Sequence, residues 1–132
     1  MDQPSVKIAA PTHISRLEDV DSALKEMKEG EIAIVQFTAV WCKKCHTLSE
    51  ELKATLGADG VLWLAIDVDD LPELATRFNV KRLPRFDVYC NGKMKKTMES
   101  FEVSLEAILK AIYDARTDTP PPPPVLELQA DF

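Results

Sequence analysis

The sequence predicts an α/β sandwich built on a mixed parallel and antiparallel sheet. Three observations carry this expectation. Stretches of strand type alternate with stretches whose apolar residues recur every three or four positions. Two of the strand stretches, 32–39 and 61–66, are apolar almost without interruption, as in strands buried on both faces. The last third changes order to strand, Asn91-Gly92, strand and helix, an antiparallel hairpin closed by a helix. With 132 residues, 45% hydrophobic and 29% charged, the chain has the balance of one ordinary globular domain. A chain of this size buries roughly two thirds of its unfolded surface and folds without covalent staples.

Each element has its own local signal. A short first strand is expected within residues 5–14. Ser15 and Glu18 have the spacing of a capping box, and Leu17, Val20, Leu24 and Met27 form one helical stripe that Gly30 ends. Ile32 to Ala39 is the first buried strand. Leu48, Leu52 and Leu56 mark a second helix closed by Gly57, and Val61 to Ile66 is the next buried strand. Asp69 or Asp70 is expected to cap a short helix through Phe78. Pro84 precedes a strand from Arg85 to Cys90, with Phe86, Val88 and Cys90 on one face. Asn91-Gly92 supplies the two positive-φ positions of a tight hairpin. Lys93 to Met98 returns, and Lys93, Lys95 and Lys96 guard an outer edge against pairing with other chains. Leu105, Ile108, Leu109 and Ile112 form the apolar face of the last helix.

A composition break follows Thr117: Asp118, Thr119, then five prolines, Pro120 to Pro124. Such a run favours polyproline II at about 3.1 Å per residue, holding Val125 to Phe132 roughly 15 Å beyond the domain. The expected organisation is a domain over residues 1–117, folded over about 5–117, and a proline-rich tail over 118–132. The tail reads as a spacer or as a ligand for a proline-binding partner with an aromatic-lined groove, and Val125 to Leu128 as a docking segment for a partner or a neighbouring copy.

The net charge of −6 argues against nucleic acid as the bulk partner. Met1-Asp2-Gln3-Pro4 lacks the basic-then-apolar order of a secretory leader. The longest apolar run, Ile32 to Trp41, is interrupted by Gln36 and Thr38 and is too short for a bilayer. A cytoplasmic protein without membrane or nucleic-acid partners is expected. In that reducing setting the three cysteines point to redox or metal chemistry rather than structural disulfides.

The chemistry concentrates in Trp41-Cys42-Lys43-Lys44-Cys45, where a buried strand ends and a helix should begin. Helix-start N–H groups and the helix dipole place partial positive charge near Cys42 and favour its thiolate, and Lys43 and Lys44 add two full charges. The thiolate is the species that attacks disulfides. Two intervening residues let Cys45 fold back within bonding reach and resolve a mixed disulfide on Cys42. The same residues with His46 also spell a haem c attachment motif. A zinc site would recruit Cys42, Cys45, His46 and Cys90 or His13, but lacks a second close pair. The haem reading does not account for the strands, Pro84 or the hairpin.

Over about residues 5–115 the sequence resembles the thioredoxin family. The resemblance rests on Phe37 to Cys45, on Ile66-Asp67-Val68-Asp69, on Val80-Lys81-Arg82-Leu83-Pro84 and on Asn91-Gly92-Lys93, in the family's order and at its distances. It implies the thioredoxin fold, a central mixed five-stranded sheet flanked by about four helices. It implies a cis peptide before Pro84, facing Cys42, and a groove where backbone near Leu83 pairs with an extended substrate. It implies that Trp41 shields the thiols. The function implied is a protein disulfide oxidoreductase with no bound cofactor, acting on disulfide-containing proteins and supplied by a thioredoxin reductase or another dithiol donor. The rival expectation is a binding or assembly module on the same fold, its dithiol minor or regulatory.

Departures from the family carry expectations of their own. Lys43-Lys44 stand where Gly-Pro is typical, which should stabilise the reduced form and make the disulfide more oxidising. The family's buried acid is Gln36 here, and its lysine partner matches Ala65. That acid is thought to help deprotonate the resolving cysteine, so resolution should be slow unless Asp87 compensates. Ser100 replaces a glycine and precedes Phe101, whose bulk should narrow the groove. Arg82 and Arg85, with Lys43, Lys44 and Lys81, are expected to ring the site with positive charge.

Overall fold

The structure, a computed structural model, describes residues 11–56 and 61–117. In chain order the elements are β1 (Thr12–His13), α1 (Leu17–Lys25), β2 (Ile32–Thr38), α2 (Lys43–Thr55), β3 (Val61–Asp67), α3 (Pro72–Arg77), β4 (Arg85–Cys90), β5 (Lys93–Glu99), a single 3-10 turn (Ser100–Glu102) and α4 (Leu105–Thr117). The sheet order is β1-β3-β2-β4-β5. β1 and β2 run parallel to β3, while β4 runs antiparallel to both β2 and β5. This is the mixed sheet that the sequence pattern predicts, with the five strands and four helices that the family resemblance implies.

Central placement explains the composition of β2. It is paired on both edges and covered on both faces, so six of its seven residues are buried. Strand alternation divides the core in two. Ile32 and Ile34, with Trp63, Phe86, Val88, Cys90 and Met98, pack under α2 and α4 through Leu48, Leu52, Ile108 and Ile112. Ala33, Val35 and Phe37, with Leu64, Ile66 and Tyr89, pack under α1 and α3 through Val20 and Leu74. The β4–β5 hairpin turns at Asn91 and Gly92, both at positive φ. The Asn91 side chain also accepts a 2.8 Å hydrogen bond from the Gly30 N–H, tying the hairpin to the α1–β2 turn. β5 is one of the two edge strands, and Lys93, Lys95 and Lys96 are exposed along it.

Three local expectations need correction. Ser15 does not cap α1; the cap is Arg16, in extended geometry without a side-chain cap, and its guanidinium bonds Asp19 instead. That helix ends at Lys25, and Gly30 lies in the turn beyond it at φ 86°. Neither Asp69 nor Asp70 caps α3, which starts at Leu71 and Pro72. The Asp67 carboxylate captures their N–H groups at 2.8 and 3.2 Å, folding both aspartates into the preceding turn. Residues before 11 in the expected first strand, Gly57 and the whole of 118–132 lie outside the described residues. Among the described residues no helix is long and apolar enough to cross a membrane.

Candidate active site

Cys42 is the N-cap of α2. The β2 strand delivers it: Ala39 is buried beyond the strand end, and its carbonyl accepts the Cys42 N–H at 3.0 Å. The Cys42 sulfur in turn accepts the Cys45 N–H at 3.2 Å. Cys45 lies one turn along the helix, its Cα 5.3 Å from that of Cys42, and the two sulfurs are joined as a disulfide. The helix start therefore aims an N–H at the Cys42 sulfur, an arrangement that favours negative charge on that atom.

The two sulfurs differ in access. Cys42 is 7% exposed and Cys45 fully buried. Both pack with Ala39 against Val68 and Leu83. Leu83 arrives from the loop before β4, and the Leu83–Pro84 peptide is cis. Leu83 is thus brought against the dithiol, and Pro84 is buried beside it at the start of β4. Trp41 is 66% exposed and its Nε1–H donates to the Asp69 carboxylate at 2.9 Å. The Asp67 turn therefore positions the indole, a role for Asp67 and Asp69 that sequence reading did not assign. Aspartates following a strand end were the available signal.

Lys43, Lys44, Lys81 and Arg82 are exposed. Arg85 departs from the expected ring of charge. It is buried, and its guanidinium is engaged by Asp87 and Glu99. Asp87, fully buried, is consumed by that pairing and by the Thr97 hydroxyl at 2.7 Å. It also projects with Tyr89 toward the α1/α3 side, whereas Gln36 faces α2, so it does not replace the missing acid. His46 is exposed on α2, its ring 3.0 Å from the Val40 carbonyl. His13 sits at the opposite sheet edge on β1, and Cys90 is buried at the far end of β4 opposite Ile32. Cys90 and His13 are thereby held away from Cys42, Cys45 and His46, and among the described residues no cluster of three or more His, Cys, Asp or Glu is placed to hold a metal.

Gln36 occupies the buried position beneath Cys45, paired across the sheet with Ala65. Its amide nitrogen donates to the Ser49 hydroxyl at 2.8 Å and lies 3.5 Å from the Cys45 carbonyl oxygen. Its amide oxygen accepts the Trp63 indole N–H at 3.0 Å. The amide is satisfied and neutral, and has no capacity to accept the Cys45 proton. Gln36→Glu places a carboxyl there. Burial disfavours its charged form and raises its folded-state pKa, so the cost falls as pH drops and grows as pH rises through neutrality, to about 2–4 kcal/mol. Denaturant melts from pH 5 to pH 8 read that slope, and release of a mixed disulfide by Cys45 should accelerate in the same variant.

The thioredoxin family model matches residues 13–114. Thioredoxin of Ictalurus punctatus is 31% identical over 101 residues, covering 74% of this chain and 91% of its own. Thioredoxin of Gallus gallus is 35% identical over 81 residues, 61% of this chain and 76% of its own. Among solved structures, Schistosoma mansoni thioredoxin superposes with a TM-score of 0.70 at 24% identity, covering 80% of this chain and 94% of that one. Given that match, and a Cys42–Cys45 disulfide at the start of α2, the chain belongs to the thioredoxin family and is a thiol–disulfide oxidoreductase.

Proposed function

We propose that Cys42 is the entering nucleophile and Cys45 the resolving thiol in reduction of disulfides in partner proteins. The supporting observation is their asymmetry: Cys42 at the helix start keeps 7% exposure, whereas Cys45 is fully buried one turn behind it. The Cys42 thiolate attacks one sulfur of the substrate disulfide. A Cys42–substrate bond forms, and the other substrate sulfur leaves as a thiolate and takes a proton. Cys45 then loses its proton and attacks the Cys42 sulfur. The intramolecular disulfide forms, the second substrate thiol departs, and two electrons and two protons have passed to the substrate.

Trp41, Lys43, Lys44, Leu83 and Pro84 form the groove around this pair. Leu83 supports that reading by packing on the dithiol. The family implies disulfide-containing substrates and a reductase partner in general. A thioredoxin reductase or other dithiol donor, a cytoplasmic setting, a domain over 1–117 and a proline-binding partner for Pro120 to Pro124 are the finer parts of the proposal. The trapping experiment is insulin reduction with Cys45→Ser. Mass spectrometry should find a mixed disulfide on Cys42; turnover at the wild-type rate without that adduct contradicts the assignment.

The two lysines between the cysteines set the poise. Positive charge stabilises the thiolate, hence the reduced form, and makes the potential less negative. Lys43→Ser with Lys44→Ser should shift the dithiol potential about 10–40 mV more negative, the scale of one or two exposed charge interactions. Equilibration in glutathione buffers measures it.

A further inference from the structure

Two backbone segments meet where β4 begins and β5 ends. One is Leu83–Pro84, in contact with the cysteine cluster. The other is Ser100–Phe101, where Phe101 is 84% exposed and shares a cavity wall with Lys44 and Thr47 of α2. They are joined directly: the Ser100 N–H donates to the Pro84 carbonyl at 2.8 Å. Ser100 holds φ at 58°, a conformation that side chains disfavour. Something must hold both segments in place, and the sequence offers no glycine there.

Arg85 supplies the connection. Its side chain is 7% exposed, and all five of its N–H donors are used. Nε and Nη2 bond the two Asp87 oxygens at 2.7 and 3.3 Å. Nη2 also reaches the Phe78 carbonyl at 2.9 Å, and Nη1 the Asn79 carbonyl at 3.3 Å. The second Nη1 proton goes to the Glu99 carboxylate at 2.9 Å. Glu99 in turn accepts the Lys81 N–H at 2.9 Å and interacts with the Arg82 N–H. Its own N–H donates to Glu102 at 3.1 Å, closing the 3-10 turn that carries Ser100 and Phe101. One planar cation and one carboxylate therefore grip residues 78–82 on one side and 99–102 on the other. Among the described residues, none of the hydrogen bonds or ion pairs of these two side chains goes to a sulfur.

We propose that Arg85 and Glu99 are positioning residues for substrate: they set the spacing between Leu83–Pro84 and Ser100–Phe101, and with it the preference for extended protein segments over small disulfides. The proposal rests on the exchange chemistry assigned to Cys42 and Cys45. A protein substrate must lay backbone along the loop, so a shifted loop weakens its binding. A small disulfide needs only the exposed edge of Cys42 and is indifferent to the loop. The fork geometry is essential, because a lysine ammonium has three donors and no plane with which to reach four acceptor groups at once.

The test uses the full chain and two disulfides, insulin and hydroxyethyl disulfide. Glu99→Leu removes the acceptor for the loop N–H groups at a half-buried position. It should lower kcat/KM for insulin about tenfold, chiefly through KM, because a small displacement of positioning groups is sufficient for such a loss. The rate with hydroxyethyl disulfide and the dithiol potential should stay at wild-type values. The pair Arg85→Met with Asp87→Leu removes the buried cation together with its strand partner and should show the same split. Combining it with Glu99→Leu should add little, since the three groups act as one unit. Unchanged insulin kinetics in either folded variant overturns the proposal, as does an equal loss on both disulfides. If the wild-type protein reduces neither disulfide, the exchange chemistry itself fails, a result distinct from loss of selectivity.

Discussion

Cys42→Ser should reduce insulin turnover to background, a fall of roughly a thousandfold or more. The size of the loss follows from the geometry. A serine hydroxyl keeps the N-cap hydrogen bond to the Cys45 N–H, so α2 still starts where it should. Yet the hydroxyl does not ionise near neutrality. Cys45 offers no detour, because it is fully buried beneath the Ala39–Leu83 cluster. The contrast is Cys45→Ser, which keeps the first step and loses the second. That variant should consume one equivalent of substrate disulfide and stop. Single-turnover kinetics on the two variants separate attack from resolution, and with Gln36 providing no proton acceptor the second step should limit the wild-type enzyme.

Arg85→Met has the largest expected effect on stability. Asp87 is fully buried, and the guanidinium is its charge partner. Removing the cation leaves a buried carboxylate with the Thr97 hydroxyl and no opposing charge, which costs about 3–5 kcal/mol. Adding Asp87→Leu should recover most of this, because a buried ion pair replaced as a unit by apolar side chains is often neutral. Denaturant titrations of the single and double variants decide the point. The network also has a pH signature at its outer member. Burial pushes the Glu99 carboxyl up, but the Lys81 N–H and the Arg85 guanidinium outweigh it, and the net shift is downward. A lowered folded-state value means that the stabilisation is complete above the ordinary glutamate range and is lost as pH falls through the folded-state value. The stability difference between wild type and Glu99→Gln should therefore be greatest near neutrality and vanish in strong acid.

The fold was legible wherever the sequence signal is local and repeated. Ile32 to Ala39 announces a doubly covered strand by its apolar run, and Asn91-Gly92 a tight hairpin by its demand for positive φ, realised at 55° and 78°. The cysteine pair was legible because strand end, helix start and spacing coincide within a few residues. What escaped depends on partners distant in sequence. Ser15 to Glu18 has the letters of a capping box, yet Arg16 takes the cap and bonds Asp19. Asp69 looked like a cap, but Asp67 and Trp41 hold it. Arg85 looked like surface charge beside the cis-proline. Its burial is decided by Asp87 two residues on and by Glu99 fourteen residues away on the neighbouring strand. Alternation places Arg85 and Asp87 on one face of β4, but not whether that face is covered.

Exchange by this route requires Cys42 to be ionised near neutral pH while Cys45 stays protonated behind it. The direct measurement is the pH dependence of iodoacetamide alkylation of the fully reduced protein, with the labelled residue identified by peptide mass mapping. A single labelled residue is expected, Cys42, half-reactive at a pH clearly below the ordinary cysteine value of about 8.5. Labelling that begins at Cys45, or a Cys42 midpoint at or above that value, would contradict that requirement.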